Sequence, residues 1–367
     1  MKKVLLLTGS FGNGHIQVSN SLKDEFKKNY NSEVSIVESD LFLEAHPNLT
    51  PILKELYLYS FSYFRNIYGY LYYAGKRHKN MSSYRYFSYH YLRKLVEKES
   101  PDIIVSVFPT PALSLLESTD IPIVNVVTDY YFHKSWLTKN AYRYFVSNEN
   151  SKKAFVEAGV DSDKVKVLGI PINTKFDEKV DKKTWYKENN LSLDKMTILL
   201  SAGAFGVTNN LENTINNIID VGDLQVVIIC GKNNQLKMRL EKNFEGKKDI
   251  KIIGYTDDMR EWMQTSDVLI TKAGGVTISE ALASAVPLIL LNPVPGQERE
   301  NAKFFERKGL AKIAYTESEI IEHLSYFLNE ENLRLIRKKM NIFYIPHSTE
   351  NICKAILDIL NKRKDKE

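Results

Sequence analysis

The sequence is poor in cysteine and contains no long apolar run. Its 367 residues include two cysteines, Cys230 and Cys353, too few for the disulfide framework on which small secreted domains depend. No run approaches the ~20 apolar residues that a membrane-spanning helix requires. Glycines from Gly9 onward end the first apolar run, Val4–Leu7, too early for a signal peptide. We therefore expect a protein of the reducing cytoplasm that does not span a membrane.

Acidic residues are absent from the segment Tyr57–Val96, which contains seven Lys or Arg and fourteen Tyr or Phe residues. Tyr rings favour the headgroup region of a bilayer, and each Lys or Arg near an anionic leaflet contributes about 1 kcal/mol. We interpret the segment as an interfacial surface. The alternatives are a tyrosine-rich core with a basic rim and, less favoured, a single-stranded nucleic-acid site. Contacts with such an interface are expected from Tyr57, Phe61, Phe64, Arg65, Tyr68, Lys76, Arg77, Lys79 and Arg85.

Short apolar runs separated by helical patterns predict buried parallel strands. In the first half these are Val4–Leu7, Glu33–Glu38, Ile103–Phe108, Ile121–Val127, Tyr144–Ser147 and Val165–Leu168. In the second half they are Val226–Cys230, Ile250–Ile253, Val268–Thr271 and Leu288–Leu291. The segment Thr8–Gly12 is echoed by Ala202–Gly206, each after an apolar strand. This pattern predicts an α/β fold with two Rossmann-like domains facing each other across a cleft.

The expected domain boundaries follow from the same pattern. Residues 1–172 form the first domain, which contains the interfacial segment Tyr57–Val96. A charged, poorly patterned linker covers 173–195. Residues 196–348 form the second domain, and a C-terminal helix over 349–367 is expected to pack back on the first domain.

The stretch Ile270–Phe305 carries the densest set of candidate ligand contacts. Gly274 and Gly275 stand where a strand passes into a helix, and free N–H groups with a positive dipole end there suit a phosphate. Glu280 lies one turn into this helix, and the next helix presents Gln297, Glu298 and Asn301. The combination predicts a nucleotide-sugar site. The plain alternatives are a capping box from Thr277 to Glu280 and a solvated helix face.

Polar residues also follow a strand of the first half. Thr128, Asp129, His133 and Trp136 come after Ile121–Val127, and open α/β sheets place their chemistry at the carboxyl ends of strands. His15 lies in the glycine-rich loop after the first strand, and imidazole titrates near neutral pH. His15 is therefore the candidate general base, which Asp129 orients or replaces. The alternative for His15 is a packing role at a helix start. For His133, a structural or acceptor-side role is favoured over proton transfer.

These motifs resemble those of the processive diacylglycerol glucosyltransferases of Gram-positive bacteria and, more distantly, the plant monogalactosyldiacylglycerol synthases, which are inverting GT-B glycosyltransferases. The resemblance covers essentially the whole chain. Its motifs are Gly12–His15, Thr128–Asp129 with His133 and Trp136, Gly169–Pro171, Gly203–Gly206, Thr271–Gly275 with Thr277 and Glu280, and Pro295–Glu298 with Asn301. Two departures, Ala273 and a loop before His15 with fewer glycines than in plant members, remove no polar group.

The resemblance implies a role for each matching residue. The second domain would bind UDP, with Glu280 on the ribose hydroxyls and the backbone around Tyr255 on uracil. The phosphates would meet Phe205, Gly206, Gly275, Val276 and Thr277, with Lys272 adding positive charge, and Gly14 would also contact the UDP-sugar. Gln297, Glu298 and Asn301 would position the hexose. The first domain would bind the acceptor and the membrane, and His133 and Trp136 would form part of that binding surface.

The expected reaction is a single displacement with inversion that moves a hexose from a UDP-sugar to diacylglycerol. Glucose is favoured over galactose as that hexose. The enzyme would lie on the inner face of the cell membrane, bound to anionic lipids, and would not bind nucleic acid. No metal or other cofactor is expected, because Asp257–Asp258 is better explained as a helix start than as a Mg²⁺ site. Two rivals remain, a transferase to a polyprenyl-linked acceptor and a non-catalytic UDP-sugar sensor at the membrane.

Overall fold

The computed structural model describes residues 1–10, 12–50, 86, 88–116, 120–201 and 211–364. The chain divides into two compact units. The first unit contains Met1–Thr174, Pro295–Gln297 and Ile345–Glu367. The second unit contains Lys175–Val294 and Glu298–Tyr344. The first unit is discontinuous in sequence, because the two segments that follow residue 174 are separated from it and from each other by segments of the second unit.

The first unit is built on a six-stranded parallel sheet. Its strands are β1 (Lys2–Thr8), β2 (Val34–Asp40), β3 (Ile103–Ser106), β4 (Ile123–Val126), β5 (Ala141–Val146) and β6 (Val165–Val167). They lie in the order β2-β1-β3-β4-β5-β6. Among the described residues that precede residue 174, the α-helices of this unit are α1 (Asn13–Asn29), α2 (Leu41–Ala45), α3 (Tyr89–Glu99) and α4 (Glu149–Glu157).

The second unit repeats this architecture. Its sheet has the order β12-β11-β10-β7-β8-β9, with β7 (Met196–Ser201), β8 (Leu224–Ile229), β9 (Ile250–Ile253), β10 (Val268–Thr271), β11 (Leu288–Leu291) and β12 (Ala311–Ala314). Its helices are α5 (Lys182–Glu188), α6 (Leu211–Ile219), α7 (Asn234–Asn243), α8 (Met259–Thr265), α9 (Gly275–Ala283), α10 (Gln297–Arg307), α11 (Glu317–Phe327) and α12 (Glu330–Phe343). Gln297, the first residue of α10, counts with the first unit.

The apolar runs of the sequence become central strands because each is covered on both faces. Leu5 and Leu7 of β1 and all four residues of β10 are buried. Every described strand pairing is parallel, as expected for strands buried on both sides. The predicted α/β fold class is thus confirmed. The strand β12 was not predicted, because four residues that include two alanines and a lysine give little apolar signal.

The strand order reverses once in each sheet, and this places the candidate sites. The reversal lies between β1 and β3 in the first sheet and between β7 and β10 in the second. In open α/β sheets, ligands bind beyond the carboxyl ends of strands at such a reversal. The loops after β1 and β3 and the turn after β10 therefore lie where a ligand is expected to bind.

The C-terminal helix α13 (Ser348–Lys364) packs against α1 in the first unit. Gly169 has φ of +86°, and a Cβ there would approach the Ser348 Cβ to 2.8 Å, so only glycine fits this contact. The Ser348 hydroxyl donates to the Ile170 carbonyl at 2.8 Å. No helix in the described ranges is both long and apolar enough to cross a bilayer.

Candidate active site

His15 lies in the first turn of α1, beyond the carboxyl end of β1. Its Nδ1–H donates to the main-chain carbonyl of Val107 at 2.8 Å, and the Thr128 hydroxyl lies 3.2 Å from the same nitrogen. A carbonyl oxygen only accepts hydrogen bonds, so in the neutral ring Nδ1 carries the proton. Nε2 then has the free lone pair that a general base needs.

Burial lowers the pKa of His15 to about 4, although the hydrogen bond that the ring donates to the Val107 carbonyl acts in the opposite direction. At neutral pH the ring is therefore uncharged and able to accept a proton. The prediction that Asp129 orients the ring is not met, because in the described structure the hydrogen bonds of His15 go to Val107 and Thr128. The main chain after β3, rather than a carboxylate, fixes the tautomer.

Asp129 is a buried carboxylate, 6% exposed. Its Oδ2 accepts a hydrogen bond from Gln297 Nε2 at 2.8 Å and a longer one from Trp136 Nε1 at 3.4 Å. Ser147 Oγ donates to the Asp129 carbonyl at 2.8 Å, which fixes the backbone there. Asp129 thus holds Gln297, which the sequence assigned to hexose binding, within the first unit.

The prediction that Trp136 contacts membrane or acceptor is wrong. The side chain is 1% exposed and packs in a core cluster with Val146 and Phe155. A surface contact needs an accessible ring, and the ring of Trp136 is not accessible. His133 is half-buried, and its Nδ1 accepts from the Ser135 N–H at 3.2 Å, capping the short helix Lys134–Trp136. A structural role for His133 is in line with this geometry.

In the second unit, the turn after β10 leads directly into α9. The helix begins at Gly275 with Gly274 as its N-cap, and no side chain caps it. The first intrahelical bond is donated by Ile278 to the Gly274 carbonyl at 2.9 Å. The N–H groups of Gly275, Val276 and Thr277 therefore stand at the positive end of the helix dipole, where a phosphate binds well.

Glu280 is not part of a capping box. That alternative required Thr277 to be the N-cap, whereas the N-cap is Gly274 and Thr277 already lies inside the helix. Glu280 lies one turn beyond Val276 and Thr277 on the same side of α9, because residues three and four apart are neighbours on a helix. It is half-buried, and burial raises the pKa of its carboxyl to about 8.

The remaining donor-side residues range from buried to exposed. Asn301 is 1% exposed, and its Nδ2 donates to the Ala273 carbonyl at 3.4 Å, so it ties α10 to the turn before α9. Glu298 and Lys272 are half-buried. Tyr255 follows β9, is 64% exposed and has Lys232 Nζ 5.6 Å from its ring centroid. Its hydroxyl donates to Asp257 at 3.0 Å.

Several predicted contacts lie outside the described residues. They are Phe205 and Gly206 of the phosphate site and Tyr57, Phe61, Phe64, Arg65, Tyr68, Lys76, Arg77, Lys79 and Arg85 of the acceptor or membrane surface. Gly14 follows the N-cap of α1 by two residues and is half-buried. Across the residues that the structure does describe, no three His, Cys, Asp or Glu side chains are grouped to hold a metal ion.

Sequence reasoning missed two residues that contact His15, namely Val107 and Phe108. The Phe108 ring lies edge-on to the imidazole, with centroids 4.8 Å apart. Both residues follow β3, which pairs with β1. The pairing of β3 with β1 puts this loop at the reversal of strand order, a long-range feature that local sequence does not show.

The two halves of the chain are similar to two known protein families. Residues 15–172 match the family described as monogalactosyldiacylglycerol (MGDG) synthase, and residues 201–343 match the glycosyltransferase family 28 C-terminal domain. A processive diacylglycerol β-glucosyltransferase of Staphylococcus epidermidis is 45% identical over 364 residues, which cover 98% of this chain and 93% of that protein. A protein of the same name from Staphylococcus haemolyticus is 44% identical, covering 100% and 95%.

Solved structures support the fold. Acinetobacter baumannii MurG superposes with a TM-score of 0.64 at 14% identity, covering 98% of this chain and 100% of that one. Staphylococcus aureus MnaA, solved with UDP, gives a TM-score of 0.62 at 18% identity, covering 98% and 97%. Together with two parallel six-stranded sheets, these likenesses confirm the predicted GT-B fold.

Proposed function

The chain belongs to the family of the processive diacylglycerol β-glucosyltransferases, and from that premise we propose that it moves glucose from UDP-glucose to the hydroxyl of diacylglycerol with inversion. The family predicted from the sequence motifs is thereby confirmed. The preference for glucose over galactose is our proposal, supported by the names of the relatives.

The observation that carries the mechanism is the tautomer of His15. Nε2 takes the proton of the acceptor hydroxyl while the acceptor oxygen bonds to the anomeric carbon of glucose. The bond from that carbon to the UDP oxygen breaks, and its electron pair leaves with UDP. The imidazolium that forms keeps its Nδ1–H bonded to the Val107 carbonyl at 2.8 Å. An α-linked donor thus gives a β-linked product.

The donor half of the mechanism is electrostatic. UDP gains negative charge as the bond to glucose breaks, and the uncapped N-terminus of α9 offers N–H groups and a positive dipole end to its phosphates. Such donors are already oriented before the reaction and stabilise the charge without a metal ion. We therefore assign phosphate binding to Gly275, Val276 and Thr277, with Lys272 nearby, and propose metal-independent transfer.

Product identification tests the proposal. The protein is incubated with diacylglycerol vesicles and either UDP-glucose, UDP-galactose or UDP-N-acetylglucosamine, with and without excess EDTA. We expect β-glucosyl-diacylglycerol from UDP-glucose at an unchanged rate in EDTA. Product only from another sugar would overturn the donor assignment, and transfer only to a polyprenyl-linked acceptor would overturn the acceptor. A sensor that does not turn over would give no glycolipid at all, and a rate restored by Mg²⁺ would overturn metal independence.

Glu280 should couple UDP-glucose binding to proton release. Its carboxyl is largely protonated below about pH 8 in the free protein, whereas two ribose hydroxyls that donate to it favour the charged form. UDP-glucose should therefore bind more tightly as pH rises from about 6 to about 8, by up to about tenfold per pH unit, and level off above that. Titration calorimetry in buffers of different ionisation enthalpy measures both the affinity and the proton released.

Glu280→Gln should remove this pH dependence and weaken binding by about 10- to 100-fold, the expected loss for a hydrogen bond to a charged group. Glu306→Gln is the matched control, because Glu306 is an exposed carboxylate of the same unit. A pH dependence that survives in Glu280→Gln would assign the proton to another group. UDP-glucose is the right ligand, since its pyrophosphate is a diester with no proton to lose in this range.

Peripheral attachment to the inner membrane face through anionic lipid is also our proposal. It is supported by the acid-free, Tyr-rich and Lys/Arg-rich composition of residues 57–96. Sedimentation with liposomes should increase with the fraction of anionic lipid and decrease with salt, because exposed charges are screened beyond about 10 Å at 0.1 M ionic strength. Sedimentation that responds to neither variable would refute it.

A further inference from the structure

We infer that Phe108 is a positioning residue for His15, and that position 9 is a glycine because the Phe108 ring fills the space of a side chain there. The inference rests on the proposed role of His15 as base. Phe108 touches neither UDP nor acceptor in this assignment, and it acts through the imidazole alone.

The Phe108 ring is in contact on three sides. It meets the His15 ring edge-on, with centroids 4.8 Å apart and planes at 77°. It meets Phe42 in the same manner at 5.3 Å and 71°. On the third side, a Cβ added to Gly9 would lie 2.8 Å from both Cγ and Cδ2 of Phe108. That distance is far below the carbon–carbon contact of about 3.5–4.0 Å, so any larger residue at position 9 moves the ring.

The backbone that carries Phe108 is itself held in place. The Phe108 carbonyl accepts hydrogen bonds from the hydroxyls of Ser106 at 2.7 Å and Thr110 at 3.0 Å. The Val107 N–H donates to the Leu7 carbonyl of β1 at 2.9 Å. The same two-residue segment therefore supplies the carbonyl that receives His15 Nδ1–H and the ring that packs on the imidazole.

These two contacts perform different tasks. A single hydrogen bond from Nδ1 to the Val107 carbonyl selects the tautomer but leaves the imidazole free to tilt about that bond. The Phe108 edge removes the tilt and so fixes the direction of the Nε2 lone pair. The ring also excludes water from one side of the imidazole, which contributes to the burial that keeps His15 neutral.

Substitutions at both positions test the inference. Gly9→Ala should lower kcat by about 100-fold, the effect of a misplacement of about 1 Å at a catalytic group, with the KM for UDP-glucose nearly unchanged. Phe108→Leu makes room for the new Cβ, so Gly9→Ala/Phe108→Leu should recover at least about tenfold of that loss. A double variant no more active than Gly9→Ala, or a Phe108→Ala protein with the kcat of wild type, would overturn the inference.

A second readout is independent of activity and of the folding of Gly9→Ala. Nitrogen-15 NMR of the full-length protein reports the tautomer of each histidine. His15 should be the Nδ1–H form in both wild type and Phe108→Ala, because the Val107 carbonyl selects the tautomer. The same spectra followed against pH should show a higher His15 pKa in Phe108→Ala, because the ring no longer excludes water from one side of the imidazole. An unchanged His15 pKa together with the kcat of wild type would refute the positioning role. If His15→Asn is inactive while the Phe108 variants behave as wild type, only this inference fails. If His15→Asn is active, the proposed base fails whatever the Phe108 variants do.

Discussion

Replacing His15 with asparagine should lower kcat by about 10²- to 10⁴-fold, the usual contribution of a general base, and leave UDP affinity nearly unchanged. The asparagine amide can still donate to the Val107 carbonyl, as His15 Nδ1 does at 2.8 Å, but nothing replaces Nε2. The substitution therefore removes the base while keeping the bond that organises the loop. The measurement is the rate of glycolipid formation, together with UDP affinity by calorimetry.

His323 provides the matched control for this experiment. Its Nε2 bonds the Ile313 carbonyl at 2.9 Å, so it is another histidine tied to the main chain, but it lies in the second unit. His323→Gln keeps an amide where Nε2 stands and should retain kcat. His15→Ala should be as inactive as His15→Asn. A His15→Asn protein with near-normal kcat would show that the proton goes elsewhere, and Asp129 would be the next candidate.

The pH profile offers a further check on the same residue. Burial lowers the pKa of His15 to about 4, and a base works only when unprotonated, so its acid limb lies near pH 4. The coupled proton of Glu280 would obscure this in wild type, because it affects binding below about pH 8. In Glu280→Gln, kcat/KM should stay flat until the pH approaches about 4. A limb near the ordinary histidine pKa of about 6.5 would contradict the assignment.

Asp129→Asn and Gln297→Ala should each lower kcat/KM by about 10- to 100-fold, and the double variant should be no worse than the poorer single one. The reason is the hydrogen bond of 2.8 Å from Gln297 Nε2 to the buried Asp129 carboxylate. Asparagine keeps the size of Asp129 but removes the charge that strengthens this bond. When two side chains act as one unit, removing the second after the first changes little.

This double-mutant cycle separates two roles for Asp129. If Asp129 holds Gln297, the single effects are similar and do not add. If Asp129 were the base, Asp129→Asn would resemble His15→Asn, and Gln297→Ala would act independently of it. Asp161→Asn serves as control, because Asp161 is an exposed carboxylate in the same unit. Thermal unfolding of each variant shows whether a loss of activity reflects a loss of fold.

The strands could be predicted from the sequence because a parallel strand that is buried on both faces consists of a continuous run of apolar residues. Leu288–Leu291 and Val268–Thr271 have the predicted bounds. Glu280 could be singled out by its spacing from the Gly-Gly turn. The start of its helix could not be predicted, since both Gly274 and Thr277 suit an N-cap and the two positions lie only three residues apart.

The tautomer of His15 could not be predicted, because Val107 is 92 positions away in sequence and comes next to His15 only through the pairing of β1 with β3. The prediction of a surface contact for Trp136 was wrong for a related reason. Near a polar cluster, a tryptophan suits a membrane interface as well as a core, and the choice depends on β5 and α4, whose Val146 and Phe155 enclose it. Local sequence does not contain that information.

The discontinuity of the first unit bears on the biosynthesis of the protein. The helix that presents His15 is covered by α13 (Ser348–Lys364), whose Cys353 lies fully buried with its sulfur 3.9 Å from the Leu22 carbonyl of α1. A ribosome delivers this covering segment after the whole second unit. The unit that is begun first is therefore completed last, and His15 lacks its covering helix until Ser348–Lys364 has been synthesised.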